Sequence, residues 1–267
     1  MAQDGFKDWI GRSVIRRDVV TERVVEQLRA TLSPYLFDAL CPPGLHWCLA
    51  VSAHPPENLG PDGAEKKGLF LPPVDLPKRM WAGGRVETFG SFQSGDEVER
   101  LSRIADIKWR DGASGKLCIV SVVHELSARG GLVVRERHDL LFRDGSIAKQ
   151  SPEEQQMPPG DLQWKIEASA LLLFRFSALT FNGHRIHYDL PYARDVEGYD
   201  GLLVHGPLQA TLMLNQLSVV IGRVPQRFDY RCVAPLTGGQ TFSVMCNKNE
   251  GRIANAAGIT TLQATAQ

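Results

Sequence analysis

The chain has 267 residues, of which 43% are apolar and 22% charged, and its formal net charge is zero. That length holds one large domain or two of about 130 residues, either able to bury a core unaided. Balanced charge, with no long run of one sign, argues against a nucleic-acid partner or a membrane-surface role, since both need a concentrated basic face.

The five cysteines, Cys41, Cys48, Cys118, Cys232 and Cys246, are odd in number and form no CxxC pair. They read as reduced, mostly buried thiols in a reducing, cytoplasmic compartment. No His/Cys spacing fits a metal template, so no metal is expected. The opening Met1–Phe6 carries an early acid and no apolar core, so no signal peptide is expected there. No apolar run approaches the ~20 residues of a membrane span.

Along the chain, Thr21 is placed to cap a helix through about Leu32, with Val24, Leu28 and Leu32 on one face and Pro34 as a stop. Pro55 to Pro77 is rich in Pro and Gly and reads as irregular. So does Arg79 to Gly84, ahead of a strand-like run from Arg85 to Phe92. Leu117–Leu126 and Leu132–Phe142 read as antiparallel strands about a turn at Ser127–Gly131. The polar, proline-rich Ser151–Asp161 marks a boundary between units at 1–150 and 162–267.

In the second unit, Ala168–Phe176 reads as a buried strand leading to a loop with three histidines nearby. A long helix is expected from about Pro207 to Ile221, on Leu208, Leu212, Leu217 and Ile221. A hairpin follows, Gln240–Cys246 and Ala254–Ala264 about a turn at Asn247–Gly251. Helix then antiparallel sheet, twice, implies an α+β fold of two similarly planned units.

Chemistry concentrates in Phe176–Gly206, FSALTFNGHRIHYDLPYARDVEGYDGLLVHG. Ala178-Leu179-Thr180 enters a loop, Ile186 precedes His187, and Ala193 follows after five residues. Val204-His205-Gly206 then opens the long helix, and Tyr230–Leu236 supplies the strand and loop beyond it. This pattern resembles the signature of the MaoC-like, or hydratase 2, family. FNGHRIHYD with the earlier RMWAGG resembles a two-domain subgroup containing mesaconyl-C4-CoA and itaconyl-CoA hydratases and type 2 hydroxyacyl-thioester dehydratases. The resemblance implies a double hotdog, two long helices each wrapped by a curved antiparallel sheet. It implies one active site per chain, with the first unit shaping the acyl pocket. The substrate would be an acyl-CoA, with no cofactor beyond the coenzyme A it carries, and a homodimer is left open.

The chain departs from the general signature. The family's Asp falls on Asn182, its Asn on His184 and its Pro on Arg185. Asn182 cannot accept a proton and can only orient a water or a carbonyl. Hydrating an enoyl thioester needs a base for water, an acid for the α-carbon and a stabiliser for the enolate. His187 is the expected acid/base, as its ordinary pKa lies near working pH. His184 stands as a second acid or as a structural residue. The Gly206 amide, opening a helix before Pro207, is the expected oxyanion donor. Arg185 reads either as a clamp for a substrate carboxylate or as a solvated loop charge. Trp81 and Gly83 read as a tight turn or as part of the acyl pocket, and His205 as a pocket residue or as packing beneath the helix. Asp189 reads as a helix cap, and His124 and His138 as packing or surface residues of strands. Lys78 and Arg79 could greet coenzyme A phosphates or be ordinary surface charge. Rival functions are a 3-hydroxyacyl-thioester dehydratase of fatty-acid synthesis, an inactive acyl-thioester binding module, and a thioesterase.

Overall fold

A computed structural model describes residues 6–112, 115–144 and 161–267. Within them ten strands form one antiparallel sheet. Its first half runs, edge inward, β1 (Ser13–Val19), β3 (Glu97–Gly112), β4 (Gly115–Ala128), β5 (Gly131–Arg143) and β2 (Lys78–Thr88). Its second half continues with β7 (Arg227–Cys232), β10 (Thr260–Ala266), β9 (Glu250–Ala254), β8 (Thr241–Cys246) and β6 (Leu162–Glu167). The halves join where β2 pairs with β7, from Gly83↔Arg231 to Glu87↔Arg227. The boundary expected at Ser151–Asp161 lies, apart from Asp161, outside the described residues.

Three α-helices accompany the sheet: α1 (Glu22–Leu32), α2 (Ala170–Leu179) and α3 (Gly206–Ile221). Every residue of α3 from Leu208 to Ser218 is buried, polar ones included. Most of its buried polar groups find partners, the Gln216 side-chain oxygen excepted. Asn215 donates to Pro43 O and accepts from Phe37 N, Gln216 donates to Val244 O, and Thr261 donates to Gln209. Phe37 and Pro43 of the first half are therefore bonded to the second half's central helix, and Gly44 lies close against its Thr211. The fold is the double hotdog, with one departure: the first half has no long helix among its described residues, only the 11-residue α1 and single 3-10 turns.

Local readings fared unevenly. Thr21 caps α1 by accepting from Val24 N, and α3 and the β4–β5 hairpin lie where expected. Ala168–Phe176 is corrected: it is mostly α2, capped by the Ser169 hydroxyl, which accepts from Leu172 N. Arg79–Gly84 belongs to β2, bulged between Trp81 and Gly83. The C-terminal hairpin is three strands, β8, β9 and β10. β1 and β3 had no counterpart in the sequence reading.

Candidate active site

The loop after α2 turns sharply at Phe181, which takes φ 48°, a left-handed conformation costly for a non-glycine residue. Asn182 then accepts from the His184 amide at 3.0 Å, closing an Asx turn. A first-half segment crosses this loop closely. Gly63 and Gly183 meet backbone to backbone, and a Cβ on Gly183 would lie 2.7 Å from Gly63 O. The Arg185 amide donates to Asp62 O at 2.8 Å, and its guanidinium donates to Pro61 O.

A 3-10 turn at Arg185–His187 buries the His187 ring, 7% exposed. His187 Nδ1 lies 2.8 Å from Leu203 O. A carbonyl can only accept, so Nδ1 carries the proton and Nε2 presents a lone pair. Burial pushes the His187 pKa down to about 4, partly opposed by the Leu203 carbonyl. The ring stacks on His205 at 3.6 Å between centroids and meets His184 edge-on at 5.7 Å. Buried ring nitrogens lacking a partner include Nε2 of His184 and Nδ1 of His205, but not Nε2 of His187. Burial, then the neighbouring imidazoles, hold His205 well below its ordinary pKa. Burial, then His187 and Arg79, do so for His184.

His205 is fully buried, stands at the N-cap position of α3 without a side-chain capping bond, and pairs with the Ser177 hydroxyl at 2.8 Å. Gly206 opens the helix beneath Trp81: a Cβ there would stand 3.0 Å from Trp81 Cβ. The Trp81 indole donates to Tyr230 OH at 2.9 Å and lies 4.4 Å from the His138 ring. Gly83 is required by the β2–β7 junction, since a Cβ there would overlap Tyr230 O.

A cavity of about 700 Å³ runs along this junction. Ser177, Asn182, Gly183, Tyr188 and Pro207 line it from the second half. Trp81, Arg16, Arg100, Ser102, His124 and His138 line it from the first. His184 and Gly206 directly adjoin the lining residues Gly183 and Pro207, His205 bonds the lining Ser177, and His187 stacks on His205.

Several expectations change in role. Arg185 is a partly exposed loop charge rather than a free clamp. Its guanidinium forks onto Asp189 at 2.7 and 2.9 Å and stacks on Tyr192, away from the cavity. Asp189 is the expected cap, accepting from Tyr192 N at 3.1 Å. Gly83 serves strand pairing and lies outside the cavity wall. Lys78 donates to Glu197 O, and Arg79 pairs with Asp62 at 3.0 Å. His124 and His138 lie in strands, as expected, but their rings face the cavity.

Sequence reasoning missed Asp62, whose Oδ2 lies 3.9 Å from His184 Nε2. It also missed the polar row Arg16, Arg100, Ser102, His124 and His138. In that row His124 Nδ1 meets Ser102 Oγ at 2.7 Å and His124 Nε2 meets His138 Nδ1 at 3.1 Å. Burial first and Arg100 second depress both imidazoles, His138 to about 3. Ligand atoms of His124, Glu136 and His138 lie within 4.8 Å of one another, a spacing a metal could use. The nearby Arg100 charge opposes a cation there.

A buried central helix whose N-terminus adjoins a histidine-bearing loop, on a ten-stranded sheet, defines a double hotdog of the MaoC-like dehydratase class. Among solved structures it resembles a MaoC-like dehydratase (TM-score 0.71, 13% identity, 98% of this chain and 99% of that one). It also resembles HtdX of Mycobacterium tuberculosis (TM-score 0.68, 16% identity, 95% and 98%). The sequence profile of hydroxyacyl-thioester dehydratase type 2 matches residues 44–238. Mesaconyl-C(4)-CoA hydratase of Chloroflexus aurantiacus is 34% identical over 100% of this chain and 99% of its own length. The mitochondrial hydroxyacyl-thioester dehydratase type 2 of Schizosaccharomyces pombe is 24% identical over 90% and 91%. The chain belongs to the hydroxyacyl-thioester dehydratase type 2 family. It is a hydro-lyase that hydrates or dehydrates an acyl thioester. No described helix is long and apolar enough to cross a membrane.

Proposed function

We propose that the chain reversibly hydrates a short, branched dicarboxylic enoyl-CoA of the mesaconyl-C4-CoA or itaconyl-CoA kind, with His187 as acid and base. The observation that carries this reading is the His187–Leu203 bond, which fixes a neutral imidazole with a basic Nε2 beside the start of α3. Full-length likeness to a mesaconyl-C(4)-CoA hydratase supports the substrate.

In hydration, Nε2 takes one proton from water as the water oxygen bonds to the β-carbon. The carbon–carbon π pair moves to the α-carbon and onto the thioester oxygen as an enolate. The Gly206 amide, with the helix dipole behind it, stabilises that oxygen. The enolate collapses as Nε2–H returns its proton to the α-carbon, leaving a neutral 3-hydroxyacyl thioester. Asn182 has its side-chain oxygen engaged by His184 N, so its NH2 group is left to orient the water or the thioester carbonyl. Asp62 Oδ2, 3.9 Å from His184 Nε2, brings a carboxylate beside the loop in which Asn182 replaces the signature's Asp.

The test is loss of enoyl absorbance on adding mesaconyl-, itaconyl- or crotonyl-CoA. His187→Ala is expected to lower kcat at least about 100-fold with binding nearly unchanged. Turnover surviving in that variant sinks the acid/base assignment. The aromatic and aliphatic lining of the cavity, including Phe70, Leu71, Leu140 and Phe176, favours a second reading, dehydration of longer 3-hydroxyacyl thioesters. A strong preference for unbranched C6 or longer enoyl thioesters would select it. Saturable binding without turnover would mark a binding module, and free thiol release a thioesterase.

A further inference from the structure

β1 and β3 set Arg16 directly opposite Arg100 in their antiparallel register. Like charges facing each other across strands repel, and both residues line the cavity. Neither makes a salt bridge among the described residues. Arg100 Nε is buried without a partner, and its NH1 reaches only Leu49 O at 3.5 Å.

The surrounding charges are otherwise accounted for. Asp18, two residues along β1 from Arg16, accepts from the amides of Val19 and Ala50. Elsewhere on the cavity wall, Glu65 pairs with His54 at 3.2 Å and Arg79 with Asp62. His46, His124 and His138 are held neutral, chiefly by burial. Glu136 is the carboxylate whose field acts on Arg100, and its Oε1 accepts from the Trp47 indole at 2.8 Å. Two guanidinium groups therefore face one carboxylate, leaving this part of the cavity with one positive charge in excess. Burying an uncompensated cation is costly, and an anionic ligand would remove that cost. Ser102 Oγ, paired with His124, adds a hydroxyl able to donate.

We infer that Arg100 and Arg16, with Ser102 beside them, form a carboxylate site in the first half of the sheet that binds the free carboxylate of a dicarboxylic acyl group. It rests on the proposed acyl-CoA chemistry and replaces Arg185 as the carboxylate-reading residue. From the start of α3 the cavity wall runs along Trp81, His138 and His124 to this site, with ring centroids 4.4 and 4.5 Å apart. A thioester held at the helix would thus point its acyl end toward the arginines.

Two non-reacting ligands test this by calorimetry: succinyl-CoA, which ends in a carboxylate, and butyryl-CoA, which does not. The wild type is expected to bind succinyl-CoA more tightly. Arg100→Gln and, separately, Arg16→Gln should weaken succinyl-CoA about 10- to 100-fold and change butyryl-CoA less than threefold. Arg16 on an edge strand is the safer variant for folding, and Arg100→Lys should recover part of the loss. Equal wild-type affinities overturn the inference. So does equal weakening of both ligands, which would place a coenzyme A phosphate at the arginines. Turnover of mesaconyl-CoA is read separately: intact preference without turnover sinks the catalytic reading and leaves the site standing.

Discussion

The pH dependence of turnover discriminates most sharply, because the structure moves the base away from its ordinary range. Burial holds His187 at about 4 rather than 6.5. At pH 5.5 a base of that kind is about 97% neutral, whereas an ordinary histidine is only about 9% neutral. The expected kcat/KM is therefore nearly flat from pH 7.5 to 5.5, falling about tenfold per unit only below about pH 4. An unshifted base would already have lost about tenfold at 5.5. Stability must be separated from this. His187, His46 and His138 are all depressed in the folded state, to about 4, 3 and 3. Such groups bind protons first in the unfolded chain. The stability they confer is complete above about pH 6.5 and lost as pH falls toward the folded values. At pH 5.5 each forfeits on the order of 1 kcal/mol. Initial rates should accordingly be taken within seconds of a jump from pH 7.5, with circular dichroism confirming the folded fraction. An acid limb centred near 6.5 in still-folded protein would refute the assignment of a buried, neutral His187.

Three substitutions probe the remaining geometry. Gly206→Ala sets a methyl 3.0 Å from Trp81 Cβ at the mouth of α3, so kcat should fall about 10- to 1000-fold through the displaced amide, with thermal stability as the control. Gly63→Ala must adopt φ 78° and overlaps Gly183 O. It should cost on the order of 3 kcal/mol in urea unfolding, and a loss under about 0.5 would deny the crossing its tightness. Arg185→Gln removes a half-exposed pair with Asp189. It should cost no more than about 1 kcal/mol and leave the KM ratio of mesaconyl- to crotonyl-CoA unchanged; a shifted ratio would return the carboxylate to Arg185.

What the sequence disclosed followed what its patterns can encode. α3 was legible because Leu208, Leu212, Leu217 and Ile221 recur at helical spacing after His205-Gly206-Pro207 and end before Gly222, which takes φ 79° as a C-cap. α2 was misread because its short run Ala170-Leu171-Leu172-Leu173-Phe174 has neither period, with Leu171 and Phe174 exposed; the Ser169 cap was the overlooked signal. β1 and β3 escaped for a more instructive reason. Their cavity-facing positions carry Arg16, Arg100 and Ser102 while β1 exposes Ile15 and Val19, so both faces mix polar and apolar residues and the alternation that betrays a strand disappears. The substitutions that hid the strands are the ones that line the cavity, as local rules fail at functional sites. The loop of His187 was readable from its motif. The Leu203 carbonyl that fixes its tautomer was not, because backbone acceptors leave no trace in residue identity.

Joining both halves of the sheet in one chain has a chemical consequence. In a symmetric pair of identical units each partner would carry the same residues, so a row fitted to an anion would be repeated beside every catalytic loop. Within one chain the halves are free to diverge. The second keeps the buried helix with its amide terminus, and the first has no long helix among its described residues. The first half's Phe37 and Pro43 are instead held to α3 by Asn215. Its sheet face then presents Arg16, Arg100, Ser102, His124 and His138. The two faces meet at Trp81, which stands against both Gly206 and His138. Changes at Trp81 should therefore disturb reaction rate and acyl selectivity together, whereas changes at His187 or Arg100 should separate them.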